Sequence, residues 1–546
     1  MKILANGIWK DGFLDYFRGP SEYRIRVLFW QNLEKLEGLY FVRPKSLRLL
    51  WNYLCEIGLV AVFRKILSRA KERYRNEKYI SCGIGRVIES NDKTKFSEGQ
   101  IVGILAPNYP ACMERIALPE ELIIKIDQSI LPSIPENTII YMPLRSIEVK
   151  KDRWWADFCG WSSYSGEVLS DKQIQLSKKL RKIINQTNWR DGLLLQLNEY
   201  GKISYSNGQI ESQKNDNRKG AVLFGYGNYA KTIILPHAKK YLNVKRIHEV
   251  DPMQIPVKTR LVNLWDTSPN PTGSEDYDVY LIAGFHHTHA PLAISALERG
   301  ACAVVEKPIV VNDNQLADLL AAMQNSAGRL FSCFHKRYLR MNKWAFEDME
   351  LIRGEPVSYH CIVYEVPLPK LHWYRWPNSK SRLIANGCHW IDHFLHLNKF
   401  CDVYAYNLFM SKDCTINCSV ELRNGAFFTM TLTDKGSERI GVQDYIELRA
   451  NNITVKMING ANYLAENKDR IIRKKRINKM HSYKTMYQQI GKKILNGADG
   501  DSIQSVHSSC NLVLALDNKF SRRLTQMDPG GIVPKKREFH RAGADK

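Results

Sequence analysis

Cysteine is sparse in this chain, 12 among 546 residues, and no two of them form a C-x-x-C pair. That excludes a disulfide framework and fits reduced thiols in a reducing compartment. The closest pair, Cys414 and Cys418, has no histidine nearby, and no metal site is expected. Long apolar runs are missing too. LWNYLCEIGLVAVFRKIL comes nearest to a membrane span, but Glu56 and Arg64 turn it into an amphipathic helix. The opening MKILANGIWKDGF meets charge before an apolar stretch develops, so no secretory leader and a cytoplasmic location are expected. Acidic residues are in deficit, 56 Asp and Glu against 79 Lys and Arg, for a formal charge of +23. The excess predicts an anionic partner. Its one dense run, DRIIRKKRINK at 469–479, reads as a solvated face. No aromatic-rich RNA signature or helix–turn–helix pattern accompanies it. Nucleic acid is therefore not expected, which leaves a small anionic molecule such as a nucleotide or a phosphorylated sugar, or a membrane surface.

What is present begins with length. The chain is too long for one core, so two to four domains are expected. A polar stretch without hydrophobic period, YSNGQIESQKNDNRKG near 205–219, reads as a linker. After it, strands alternate with helices. AVLFG, VKRIHEV, YDVYLIAGF, CAVVEKP and RLFSCFH read as strands; NYAKTIILPHAKKY, HAPLAISALERG and NDNQLADLLAAMQ read as helices. This is the pattern of βαβ units and a parallel sheet covered on both faces. From about 353, six strand-like runs from VSYHCIVYEV to NITVKM follow one another with short turns and read as a largely antiparallel sheet. Two helices, KTMYQQIGKKILNG and SSCNLVLALDNKFSRRL, close that domain. Before the linker, helices over 44–75 precede short strands with glycine turns, and a small α/β remnant surrounds DKQIQLSKKLRKIINQ.

Directly after its first strand the alternating region carries GAVLFGYGNYAK, in which Gly225, Gly227 and Ala230 make a G-x-G-x-x-A turn opening a helix. Gly225 permits a tight turn, Gly227 lets backbone approach a pyrophosphate, and Ala230 lets the helix pack closely. The free N–H groups of the helix start, with Asn228 and Tyr229, would face the phosphates. The next strand ends in IHEVDP, where Glu249 lies about where an acid takes the ribose hydroxyls, Asp251 competing for the role. An acid there repels a 2′-phosphate, so NAD is expected over NADP.

Four ordered motifs then carry a family resemblance: the glycine turn, GFHHTH with His289, EKP at 306–308 and GCHWID at 387–392. Residues from about 218 to 540 resemble the glucose–fructose oxidoreductase / inositol dehydrogenase (Gfo/Idh/MocA) family. The resemblance implies a Rossmann NAD-binding domain at 218–345 and an α/β domain with a large, mostly antiparallel sheet at 346–546. It implies that Lys307 stands at a strand's carboxyl end beside the nicotinamide. Held there with Glu306 away from bulk water, it is expected to lose or share its proton near neutral pH. Pro308 would follow a cis peptide bond, and His389 would be the second proton-handling residue. Phe285, His286, His289, Glu306 and His335 would adjoin the cofactor. Trp373, Arg375, Asn386 and Asp392 would meet substrate. One departure stands out: the family often carries an acid four residues before that histidine, and this chain has Ala385.

Residues 44–127 resemble the β-rich, GroES-like part of alcohol-dehydrogenase-type reductases, which sets a first domain at 1–130 and a remnant with linker at 131–217. The zinc-binding GHE of that family is replaced by YISCGIGR, so no dehydrogenase chemistry is expected there. The resemblances together imply a homo-oligomeric, NAD-dependent oxidoreductase acting on a hydroxyl or keto group of a sugar or sugar nucleotide, in polysaccharide or other secondary biosynthesis. The alternatives are an imine or ketone reductase of another pathway, or a non-catalytic NAD-binding scaffold subunit.

Overall fold

The computed structural model describes residues 217–249, 276–368, 379–436 and 441–527, with scattered positions elsewhere, among them Tyr374; strands in the first 164 residues and at Leu264–Asp266 are described mainly as backbone. The expected helix at 171–186, most of the expected linker, Asp251, Trp373 and Arg375 lie outside the described residues.

In the N-terminal part, the strands Tyr23–Lys35, Tyr79–Ser90, Ile101–Leu105 and Ile123–Ile126 pair with one another and with Ser146–Lys150, Arg153–Phe158 and Trp161–Tyr164. The pairing path returns to Tyr23–Lys35 and closes on itself. The boundary expected at 130 therefore falls inside one hydrogen-bonded sheet, because Trp161–Tyr164 pairs with Ile123–Ile126.

Six strands follow: β1 (Lys219–Phe224), β2 (Leu242–His248), β3 (Leu264–Asp266), β4 (Val279–Ile282), β5 (Cys302–Val305) and β6 (Arg329–Ser332). All pairs are parallel, in the order β3-β2-β1-β4-β5-β6. This is the order of the doubly wound dinucleotide fold, whose ligand crevice opens where the order reverses, between β1 and β4. The strands are apolar throughout because both faces are covered. Alternate residues go to opposite cores: Val222, Tyr280, Ala303 and Leu330 to one, Leu223, Leu281, Val304 and Phe331 to the other.

The first core packs on α2 (His289–Glu298) and α3 (Asp313–Asn325), whose parent sheet stands beside the short helix α1 (Leu235–Ala238) on the other face. Asn312 starts α3 by accepting the N–H of Gln315, while the Gln315 side chain accepts from Val311 N–H.

Helix α4 (Arg340–Asp348) spans the boundary expected at 345 and leads to the second sheet. Its strands are β7 (Ser358–Tyr364), β8 (Val403–Met410), β9 (Ile416–Leu422), β10 (Phe427–Thr433), β11 (Gln443–Ala450), β12 (Ile453–Ile458), β13 (Asn462–Glu466) and β14 (Ile471–Arg476). The order is β8-β9-β10-β7-β11-β12-β13-β14, antiparallel except for the parallel pair β7–β10. The basic run at 469–479 is thus largely an edge strand, and its residues are mostly exposed.

The buried helix α5 (Cys388–Leu397) lies against this sheet, and one continuous core runs from Val222 through Phe394 and Met430 to Leu516. The last helices, α6 (His481–Leu495) and α7 (Ile503–Met527), divide their work. Residues of α7 join the shared core. Those of α6, Met486, Tyr487, Ile490 and Ile494, pack instead on the parallel sheet beside Ala230 and Ile234. That placement differs from the expectation that both helices close the second domain, and it brings tyrosines of α6 to the crevice.

Candidate active site

The ladder keeps the carboxyl ends of the central strands level: Gly225 N–H bonds to His248, Ala283 N–H to Phe224, Glu306 N–H to Ile282, and Cys333 N–H to Val305, all at 2.8–2.9 Å. The four loops that leave these ends define the crevice. Gly225 turns the chain with φ +93°, and a Cβ there would lie 2.5 Å from the Ala283 carbonyl oxygen. A Cβ on Gly227 would instead point into open space, with nothing within 4 Å. A π-helical turn, Ala230–Ile234, follows and runs into α1; no side chain caps its start. Glu249 is buried, and its Oε2 accepts the Tyr226 N–H at 2.6 Å, so the acid at the end of β2 is tied to the glycine turn. A tight turn, an open backbone approach, uncapped N–H groups and an adjacent acid are the features a dinucleotide requires, and these residues fit one.

A cavity of about 520 Å³ opens from this turn toward the second sheet. Asn228, Tyr229, His286, His289, Glu306, Lys307, His335, Asn386 and His389 line it; Gly225, Gly227, Ala230, Glu249, Phe285, Pro308 and Asp392 do not. Lys307 projects into it from the end of β5. Its Nζ donates to the Ala385 carbonyl at 2.8 Å and lies 3.3 Å from Asn386 Oδ1 and 3.5 Å from the Tyr374 hydroxyl. Burial pulls the ammonium down, but Tyr374, Cys388 and Glu306 outweigh it and hold Lys307 above the ordinary lysine range. The expected loss of its proton near neutral pH is therefore corrected: ringed by acceptors, Lys307 is an ammonium. Neighbouring Glu306 points elsewhere, accepting from the Tyr487 hydroxyl of α6. Burial pushes its carboxyl up, against the opposing pull of Tyr487 and Lys307. The Lys307–Pro308 peptide is cis.

The histidines differ in what they are free to do. His289 is occupied by backbone, with Nδ1 2.7 Å from Pro308 O and Nε2 3.1 Å from Gly284 O, and it ties the β4 and β5 loops together. His286 Nδ1 lies 3.3 Å from Ser379 O, and its ring meets that of Tyr374 at 4.8 Å. His335 stacks on Tyr483 at 4.0 Å between centroids and meets His389 edge-on at 4.6 Å. The buried Nδ1 atoms of both His335 and His389 have no hydrogen-bond partner. A proton there would be an unpaired buried donor, so we assign it to Nε2 in each ring. Burial, with Lys307 and Lys336 nearby, holds both imidazoles well below the usual histidine range, and both are neutral.

Asp392, expected at the substrate, does not line the cavity. It is fully buried and takes a two-point bond from Arg337, with Nη2 at 2.6 Å and Nε at 2.9 Å, plus the Ser509 hydroxyl of α7 at 2.7 Å. Three residues beyond His389 on α5, it sits on the side of the helix facing Arg337 and α7. It is a core ion pair. Further residues reach the cavity. Tyr374 sits inside HWYRWP, where attention falls on the tryptophans and arginine. Lys336 pairs with Asp444, whose Oδ2 also accepts from Trp390 Nε1 at 2.9 Å. Lys479 donates to Val442 O at 2.9 Å. Only the i, i+4 spacing of Tyr483 and Tyr487 could have marked them as sharing a helix face. Among the described residues no cluster of His, Cys, Asp and Glu is arranged to hold a metal, and no helix is long and apolar enough to cross a membrane.

No family model and no curated protein matches the chain. Solved structures similar to it include a levoglucosan dehydrogenase in complex with NADH and levoglucosan, 16% identical, covering 56% of this chain and 98% of that one with a TM-score of 0.48. A WlbA dehydrogenase from Bordetella pertussis in complex with NADH and UDP-GlcNAcA is 15% identical, covering 56% and 97%, with a TM-score of 0.45. An oxidoreductase structure from Thermotoga maritima is 15% identical, covering 57% and 98%, with a TM-score of 0.44. The chemistry of this chain rests on its own residues.

Proposed function

We propose that the chain is an NAD-dependent oxidoreductase acting on a hydroxyl or keto group of a sugar or sugar nucleotide. The observation that carries this reading is the Lys307 ammonium, projecting from the carboxyl end of β5 into a cavity that Asn228 and Tyr229, directly after Gly227, also line. Bound at that turn, NAD would supply the hydride acceptor or donor. Gly225 and Gly227 hold the backbone open for its pyrophosphate, and Glu249 at the end of β2 favours free ribose hydroxyls over a 2′-phosphate.

The remaining work belongs to side chains. Lys307 donates a hydrogen bond to the substrate oxygen and holds the proton that this oxygen gains on reduction or gives up on oxidation. His389 and His335, each with its proton on Nε2, act as neutral donors to substrate or cofactor oxygens. Asn386 positions Lys307. Tyr483, Tyr487 and Tyr229 cover Glu306 and keep water from the end of β5. Three ammonium groups, Lys307, Lys336 and Lys479, line the cavity against two carboxyls, Glu306 and Asp444, which suits a substrate with an acidic substituent. The GroES-like reading of the N-terminal sheet and assembly into a homo-oligomer belong to the same proposal.

The test is Lys307→Met. Loss of hydride transfer to a panel of sugars and sugar nucleotides, with NAD affinity retained, supports the reading. A variant as active as the wild type refutes it.

A further inference from the structure

The charged group nearest Lys307 through Asn386 arrives from a distant part of the chain. Glu365 is the first residue past β7, and its N–H bonds to Thr433 O at 2.8 Å, which extends the β7–β10 ladder by one residue. It is 5% exposed. Its Oε1 accepts from Asn386 Nδ2 and its Oε2 from Arg382 Nε. With Nδ2 spent on a carboxylate, the Asn386 amide has one orientation left. Oδ1 faces Lys307 Nζ at 3.3 Å, beside the Ala385 carbonyl at 2.8 Å. Ala385 and Asn386 both belong to a π-helical turn, Leu383–Gly387, that enters α5.

We infer that Glu365 is a positioning residue for Lys307, acting through Asn386 in place of the acid that position 385 lacks. This rests on the oxidoreductase reading for its purpose but not for its geometry. A free asparagine amide presents either its oxygen or its NH₂ to a neighbour, and an NH₂ facing the ammonium would push it away. The Glu365 carboxylate removes that choice and polarises the amide, which makes Oδ1 a stronger acceptor. Arg382 in turn holds the carboxylate on its far side, so the chain Arg382–Glu365–Asn386–Lys307 alternates donors and acceptors without a break.

Lys307 can be read without any turnover, by measuring its acylation by acetic anhydride in the full chain across pH and locating the product by mass spectrometry. In Glu365→Gln a neutral group that can both donate and accept replaces the carboxylate, so the Asn386 amide is no longer fixed in one orientation and the ammonium is less well held. Acylation of Lys307 at pH 8 is expected to rise roughly tenfold over the wild type. Adding Asn386→Asp to that variant places a carboxylate directly on Lys307 and should bring the rate back, a rescue that a merely structural role for Glu365 would not produce. If Glu365→Gln melts early, Asn386→Leu, which spares the Glu365–Arg382 pair, should show the same rise. An unchanged acylation profile in Glu365→Gln or in Asn386→Leu, or no rescue by Asn386→Asp, overturns the assignment. A chain that binds no NAD and transfers no hydride, yet shows the rise and the rescue, would overturn the oxidoreductase reading and leave this one standing.

Discussion

Lys307 is held as an ammonium, and this has a direct kinetic consequence. Oxidation of an alcohol needs the free amine to receive a proton, whereas reduction of a ketone needs the ammonium to give one. With the folded lysine above the ordinary range, oxidation should climb about tenfold per pH unit between pH 7 and 9, while reduction stays level. Initial rates in both directions check this, and an oxidation rate level across that window would contradict it. Lys307→Met should lower either rate by about 10²-fold or more. Asp392 belongs to a different ledger. Asp392→Ala leaves the buried Arg337 guanidinium with Asp501 as its remaining carboxylate partner, and a loss of about 3 kcal/mol in denaturant unfolding is expected. Lys307 and His389 were legible because their motifs are contiguous. Glu365, Tyr374 and Tyr487 were not, because each reaches the site from a remote segment and only the fold brings them together. Asp392 shares a motif with His389 but lies off the cavity, since neighbours on one helix need not look into one cavity.

The glycine turn is the element on which the proposed cofactor binding depends, and its two glycines separate folding from binding. Gly225→Ala forces a side chain into φ +93° and against the Ala283 carbonyl. It should cost about 1–3 kcal/mol of stability. Gly227→Ala meets nothing within 4 Å, so its melting temperature should match the wild type. Its NAD affinity, read by calorimetry, should still fall, because the methyl group occupies the approach to the pyrophosphate. Equal NAD affinity in Gly227→Ala and wild type would contradict the assigned role. The strands and helices of this region could be read from sequence because strands buried on both faces are continuous apolar runs. The two π-helical turns could not be, since neither composition nor period distinguishes an added residue in a helical turn. The docking of α6 on the parallel sheet was hidden for another reason: an amphipathic stripe states that a face is buried but not against what.

At the scale of the molecule, burial of neutral histidines sets an acid limit on stability. His286, His335, His389 and His393 are each held well below the ordinary range, burial being the largest cause. Their folded pKa values are depressed, so below an unfolded pKa of about 6.5 the unfolded chain binds more protons than the folded one. Stability must then fall as pH drops, by about 1.4 kcal/mol per pH unit for each histidine. Urea midpoints at pH 7.5, 6.5 and 5.5 should fall a little between the first two, where the unfolded rings begin to charge, and more steeply to the third. A midpoint as high at pH 5.5 as at 7.5 would show that these rings are charged in the folded chain. The two-sheet plan of residues 218–527 was legible from alternation and run length. The N-terminal boundary was not, because β-strand pairing beyond position 130 depends on partners distant in sequence.

The central claim is that Lys307 faces a bound dinucleotide across the switch point of the parallel sheet. Its most direct test is the rate at which Lys307 is acylated with and without saturating NAD⁺, in the wild type and in Gly227→Val. The account predicts that NAD⁺ slows labelling of Lys307 in the wild type and leaves it unchanged in the variant. Labelling of Lys307 at one rate with and without NAD⁺ in the wild type would contradict it.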